Sequence, residues 1–146
     1  MAKLRNFSLS DLEKVREIDR ISFPKRRPYS EHFLKNLFQR FPEGFIVAAE
    51  GSEIVGYTIG RPKNNSAEIL SLAVAPGWRE KGIGQALTSR LIECLQKSNA
   101  KEVFLYVRPE NKVAVSFYQK LGFEIVETIK HFYRNGDDAY SMKKGA

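Results

Sequence analysis

The chain has 146 residues, 42% hydrophobic and 28% charged, with a formal net charge of +7; this suits one domain with its own core and excludes a disordered chain. No stretch approaches the roughly 20 apolar residues that span a bilayer, and Asp11, Glu13 and Lys14 interrupt the N-terminus too early for a signal peptide, so a soluble domain over residues 1–146 with no membrane partner is expected. The positive charge favours anionic partners, but the cations are dispersed, Lys25-Arg26-Arg27 being the longest cluster, and none of them is interleaved with aromatics as in a single-strand nucleic-acid groove.

Lys3 to Phe7 alternates weakly, as a first strand would. Ser10-x-x-Glu13 has the spacing of a capping box for a helix running to about Ser22, with Leu12, Val15, Ile18 and Ile21 facing inward. Phe23 to Tyr29 carries two prolines and three cations and reads as a loop. Ser30 then caps a second helix bearing Phe33, Leu34, Leu37 and Phe38. Phe45 to Ala49 and Ile54 to Ile59, separated by Glu50-Gly51-Ser52-Glu53, read as a hairpin, with a loop from Pro62 to Asn65. Ala67 to Val74 is a longer strand that runs into Arg79-x-x-Gly82-x-Gly84. A third helix carries Ile83, Leu87, Leu91, Cys94 and Leu95 on one stripe and ends near Ser98-Asn99. Cys94, the only cysteine, fits a packing role and a reducing, cytoplasmic setting. Val103 to Val107 is a short strand, Asn111 caps a fourth helix with Val115, Tyr118 and Leu121 along one side, and Gly122 ends it before a strand at Phe123 to Thr128. Tyr140 to Lys143 reads as a closing strand. The pattern is mixed α/β.

Between a strand and a helix, Arg79-x-x-Gly82-x-Gly84 places unpaired backbone amides and the positive end of a helix dipole where an anion could sit. Glycines allow close approach, and Arg79 and Lys81 add charge. Taken alone, the six residues fit a tight turn equally well. Leu87 spoils a dinucleotide fingerprint, and the absence of a Gly-Lys-Ser/Thr sequence excludes a Walker loop.

Together with Asn111-x-x-Ala114-x-x-Phe117-Tyr118-x-x-Leu121-Gly122-Phe123, however, the loop resembles the acetyl-CoA-binding half of the GNAT acetyltransferases over roughly residues 67 to 123. The resemblance implies the GNAT fold, a mixed and mostly antiparallel sheet of about six to seven strands flanked by about four helices. It implies acetyl-CoA as cofactor, with Arg79, Glu80, Lys81, Gly82, Ile83 and Gly84 around its pyrophosphate. Backbone groups of Leu72, Ala73 and Val74 on a bulged fourth strand, together with Asn111, would meet the pantetheine arm. Tyr118 matches the family's general acid. A phenol titrates near 10 and a thiol near 8.5, so Tyr118 would assist the leaving thiolate by hydrogen bonding.

Relatives with Glu or His on the fifth strand have it in a Leu-x-Val context, where this chain has Leu105-Tyr106-Val107. Glu68 instead matches the general-base glutamate of related histone acetyltransferases, with Tyr106 holding a water between it and the amine. Phe23-Pro24 with Tyr29, and the segment from His131 to Met142 with Tyr133, resemble the N-terminal protein acetyltransferases, the ribosomal-protein and Ard1-like branch. The resemblance makes Phe23, Pro24, Tyr29 and Tyr133 an aromatic slot for a peptide N-terminus, with a ribosomal protein among the possible substrates. A monomer or homodimer with no obligatory nucleic acid is expected. His131 reads as a loop residue with a satisfied hydrogen bond, and no His, Cys and carboxylate cluster has metal-ligand spacing, so no metal is expected. Two other readings stay open: the same fold acting on an internal lysine or a small-molecule amine, and a basic binding module associated with ribosome or RNA that has lost turnover.

Overall fold

The computed structural model describes residues 2–145. In chain order it contains β1 (Lys3–Asn6), α1 (Leu12–Ser22), α2 (Glu31–Arg40), β2 (Phe45–Glu50), β3 (Glu53–Lys63), β4 (Ser66–Val74), α3 (Ile83–Gln96), β5 (Glu102–Val107), α4 (Lys112–Lys120), β6 (Glu124–Ile129) and β7 (Ala139–Gly145). The strands form one seven-stranded sheet in the order β1-β2-β3-β4-β5-β7-β6. Every pairing is antiparallel except β4 with β5. The mixed, mostly antiparallel α/β fold expected from the sequence is the fold observed. The last strand does not close the sheet at an edge: β7 inserts between β5 and β6 and leaves β6 outermost.

Two apolar layers hold the sheet. On one face α1 and α2 contribute Leu12, Val15, Ile18, Leu34 and Leu37 against Phe45, Val47, Tyr57 and Ile59. On the other, α3 and α4 contribute Leu87, Leu91, Leu95, Val115 and Tyr118 against Ile46, Val55, Ile69 and Leu105. Because β2 and β3 are covered on both faces, they read as continuous apolar runs. Gly60 lets α3 come close, since a Cβ there would stand 3.0 Å from both the Glu68 carbonyl oxygen and the Leu91 side chain.

Three local expectations are corrected. The first helix is entered through a 3-10 turn at Leu9–Asp11, where the Ser8 amide donates to Asp11 at 2.9 Å and Arg5 donates to both Asp11 oxygens; Ser10 and Glu13 do not form the box. Ile21 is exposed and Asp19 is buried. Successive steps of three residues drift around a helix of 3.6 residues per turn by about 60° each, so the buried stripe passes through Asp19 rather than Ile21. Finally, β3 continues through Pro62 to Lys63, which pair with Ala67 and Ser66. Only Asn64 and Asn65 remain as the turn, and Asn64 takes a positive φ of 58°, which asparagine tolerates.

Two features of β4 set the geometry of the region around its edge. Between Ile59↔Ser71 and Gly60↔Ile69 the register skips Leu70, a bulge that re-aims the strand's side chains. Further, β4 and β5 pair only at Ala67↔Val103 and Glu68↔Phe104. Beyond these the parallel strands part, and the facing edges of both are left without a strand partner.

Candidate active site

A cleft of about 540 Å³ opens beside the parting strands. The structure brings Phe23, Pro24, Tyr29, Glu68, Tyr106, Asn111 and Tyr133 together in its lining, from three loops and two strands. Phe23, Pro24 and Tyr29 come from the α1–α2 loop, and Tyr133 comes from the β6–β7 loop.

Glu68 is buried, 7% exposed, with Arg61 Nη2 at 3.4 Å and Lys63 Nζ at 3.9 Å. Tyr106 follows from the period-two alternation of β5: Val103, Leu105 and Val107 are buried in the core while Phe104 and Tyr106 face the other way. The Tyr106 ring packs on Phe132, 4.5 Å between centroids. Tyr118 is not in the lining of this cleft. It lies in the α3–α4 core layer, edge-on to Phe117 and Phe123. Burial pushes its phenol well above the ordinary tyrosine value, so it is a neutral hydrogen-bond donor.

The loop from Arg79 to Gly84 has the geometry of an anion cradle. Glu80 and Gly82 have positive φ, 62° and 84°, and Gly82 is the N-cap of α3 with no side-chain cap. The first intrahelical bond is from Ala86 N–H to Gly82 O, so the amides of Ile83, Gly84 and Gln85 have no partner within the helix. Lys81 is exposed beside them. The Arg79 Nε donates to the Val74 carbonyl at 2.9 Å and ties the loop to the end of β4. Leu72, Ala73 and Val74 pair with β3 along one edge, at Thr58, Tyr57 and Gly56. Their other edge faces the gap left by β5. Asn111 caps α4, accepting from Ala114 N–H at 3.3 Å. This donor set fits a diphosphate followed by an extended amide-bearing arm, which is the chemistry of coenzyme A.

Sequence reasoning missed the residues that hold the cleft's two walls. On one, the fully buried Asp19 accepts from Tyr29 N–H and Tyr57 OH, each at 3.0 Å, and from Arg26. The Arg26 guanidinium lies over the Phe23 and Tyr29 rings at 4.5 and 4.1 Å. On the other, Arg108 lies over Tyr133 and donates to Asp137. Burial pushes the Tyr29 and Tyr133 phenols up against the opposing pull of the neighbouring guanidinium, so both are neutral. The available signals were slight: Asp19 on a stripe with Val15 and Ile18, and Arg108 two residues beyond Tyr106 in the β5 alternation. His131 is a loop residue with Nδ1 3.2 Å from Gly136 O, as expected. Cys94 is half-buried against the α3 core layer.

The family model for the acetyltransferase (GNAT) family matches residues 12–123. An N-alpha-acetyltransferase of Sulfurisphaera tokodaii is 32% identical over 153 aligned positions, covering 96% of this chain and 90% of that protein. The crystal structure of Ard1 from Thermoplasma volcanium superposes with a TM-score of 0.92 at 30% identity, covering 99% of this chain and 97% of that one. Arabidopsis thaliana Naa50, solved in complex with the bisubstrate analogue CoA-Ac-MVNAL, gives a TM-score of 0.84 at 25% identity, with 98% and 97% covered.

Proposed function

Since this chain belongs to the GNAT acetyltransferase family, we propose that it transfers the acetyl group of acetyl-CoA directly to the free N-terminal α-amine of a protein or peptide. The observation that carries the proposal is the convergence of two aromatic walls, Phe23-Pro24-Tyr29 and Tyr133, with Glu68 and Tyr106 on one cleft beside the parted strands. Such a slot admits an extended chain end, and an amine entering it meets a carboxylate.

Acetyl-CoA supplies a thioester-activated acetyl group. The run Arg79 to Gly84 holds its diphosphate through backbone amides, and the open edge of Leu72 to Val74 with Asn111 holds the arm. Glu68 takes the proton given up by the amine through a water held with Tyr106, and Tyr118 donates a hydrogen bond to the departing sulfur. A carboxylate is a weak base. It suffices for an α-amine, which titrates near 7.7–8.0 and is partly neutral at neutral pH, far better than for a lysine near 10.4. A ribosomal protein as the acceptor and a cytoplasmic monomer or homodimer as the working form are part of the same proposal.

The test is CoA-thiol release from acetyl-CoA with peptides bearing free N-termini, beside Nα-blocked lysine peptides and polyamines. Release with free α-amines alone is expected; turnover confined to blocked lysine peptides or polyamines would overturn the acceptor.

A further inference from the structure

Asp19 is 0% exposed and has no part in the proton transfers above. A carboxylate removed from water persists only where it is paired, and its partners here belong to two structures. Toward the α1–α2 loop it receives the Arg26 guanidinium and the Tyr29 amide. Toward the sheet it receives Tyr57 OH, whose oxygen is 2.9 Å from Ser71 Oγ on β4. The loop closes the circuit, because Tyr29 OH donates to the Leu70 carbonyl at 3.3 Å. Both connections end on the bulge of β4, just beyond Glu68 on the same strand.

We propose that Asp19 is a positioning residue for the acceptor: its carboxylate sets the wall of Phe23, Arg26 and Tyr29 against the bulge of β4, and so against Glu68. The inference rests on the cleft being the acceptor site of the reaction proposed above. The cofactor cradle lies at the opposite end of β4 and shares none of these bonds. The loss of Asp19's charge therefore acts on acceptor binding and leaves cofactor binding alone.

Asp19→Asn keeps the shape and one acceptor oxygen while removing the ionic bond to Arg26. In this variant amide hydrogen exchange across residues 23–30 should speed up about tenfold, with α3 unchanged, and the acceptor KM should rise about tenfold. The acetyl-CoA KM and kcat should stay within about twofold of wild type. Unchanged loop exchange, or a rise in exchange with no rise in acceptor KM, overturns the proposal, as does a parallel loss in kcat and both KM values. If Asp19→Asn does not fold, Tyr57→Phe, which deletes only the hydroxyl bridging Asp19 and Ser71, carries the same test with a rise of about threefold. The acceptor KM is read with whichever amine the wild-type protein acetylates. A wild type that uses only lysine side chains would sink the N-terminal assignment and leave this test intact.

Discussion

The guanidinium carbon of Arg108 lies 3.9 Å from the centre of the Tyr133 ring, joining the end of β5 to the β6–β7 loop through a cation on an aromatic face. Its Nε also donates to Asp137 at 3.1 Å. Lysine keeps the charge but has neither the planar stack nor the fork. Arg108→Lys is therefore expected to raise the peptide KM about fivefold, with the acetyl-CoA KM unchanged. Steady-state kinetics with each substrate varied in turn decide it, and equal effects on both substrates would refute the wall's role.

Glu68→Gln removes the proposed proton acceptor while keeping its size. We expect kcat to fall about a hundredfold with a smaller change in peptide KM. The deficit should narrow as pH rises toward about 8 and level off above it, because the neutral fraction of the α-amine climbs up to its pKa near 7.7–8.0 and then saturates. A pH series of kcat for the two proteins checks this. A variant with wild-type kcat throughout would remove Glu68 from the mechanism.

What the sequence disclosed is what acts over short spans. Ser30 and Asn111 are caps whose side chains reach three residues on, and the Arg79 to Gly84 cradle is a strand-to-helix junction readable from its glycines. Asp19 was passed over because its meaning depends on Tyr57 and Tyr29, which the fold supplies from another strand and across a loop. Strand alternation could not place Ser71 beside Tyr57 either, since the bulge at Leu70 shifts the parity of β4 midway. The position of β7 was equally hidden. A local pattern marks a strand but not its neighbours, and its insertion beside β5 is a pairing across much of the C-terminal half.

Alkaline stability should report the two buried tyrosines. Burial raises the Tyr118 phenol, and burial with the nearby Asp19 charge raises Tyr57. An unfolded tyrosine titrates near 10. Above that pH the unfolded chain releases protons that the folded chain keeps, so the folded state binds more protons and stability falls as pH rises. Each group contributes up to about 1.4 kcal/mol per pH unit above pH 10, and nothing below it. Denaturant unfolding at pH values from about 9 to 11 should show this slope, shallower in Tyr118→Phe. The same variant should lose turnover near neutral pH if the hydroxyl assists the departing sulfur. Loss of the slope without loss of turnover would leave Tyr118 a core residue only.

Gly82→Ala separates backbone conformation from contact in the cofactor cradle. A Cβ at Gly82 would meet nothing within 4 Å, so the substitution creates no clash. Its φ of 84° is the obstacle, because an L-residue in the left-handed region costs roughly 1–2 kcal/mol. To escape that cost the N-cap must rotate, and the amides of Ile83, Gly84 and Gln85 turn with it. The diphosphate would then meet donors that no longer converge. We expect coenzyme A affinity, measured by calorimetry without any acceptor, to fall about tenfold or more. The peptide KM at saturating acetyl-CoA should stay near wild type, since the acceptor walls belong to other loops. Unchanged coenzyme A affinity would mean that the loop is a tight turn and that the anion is held elsewhere.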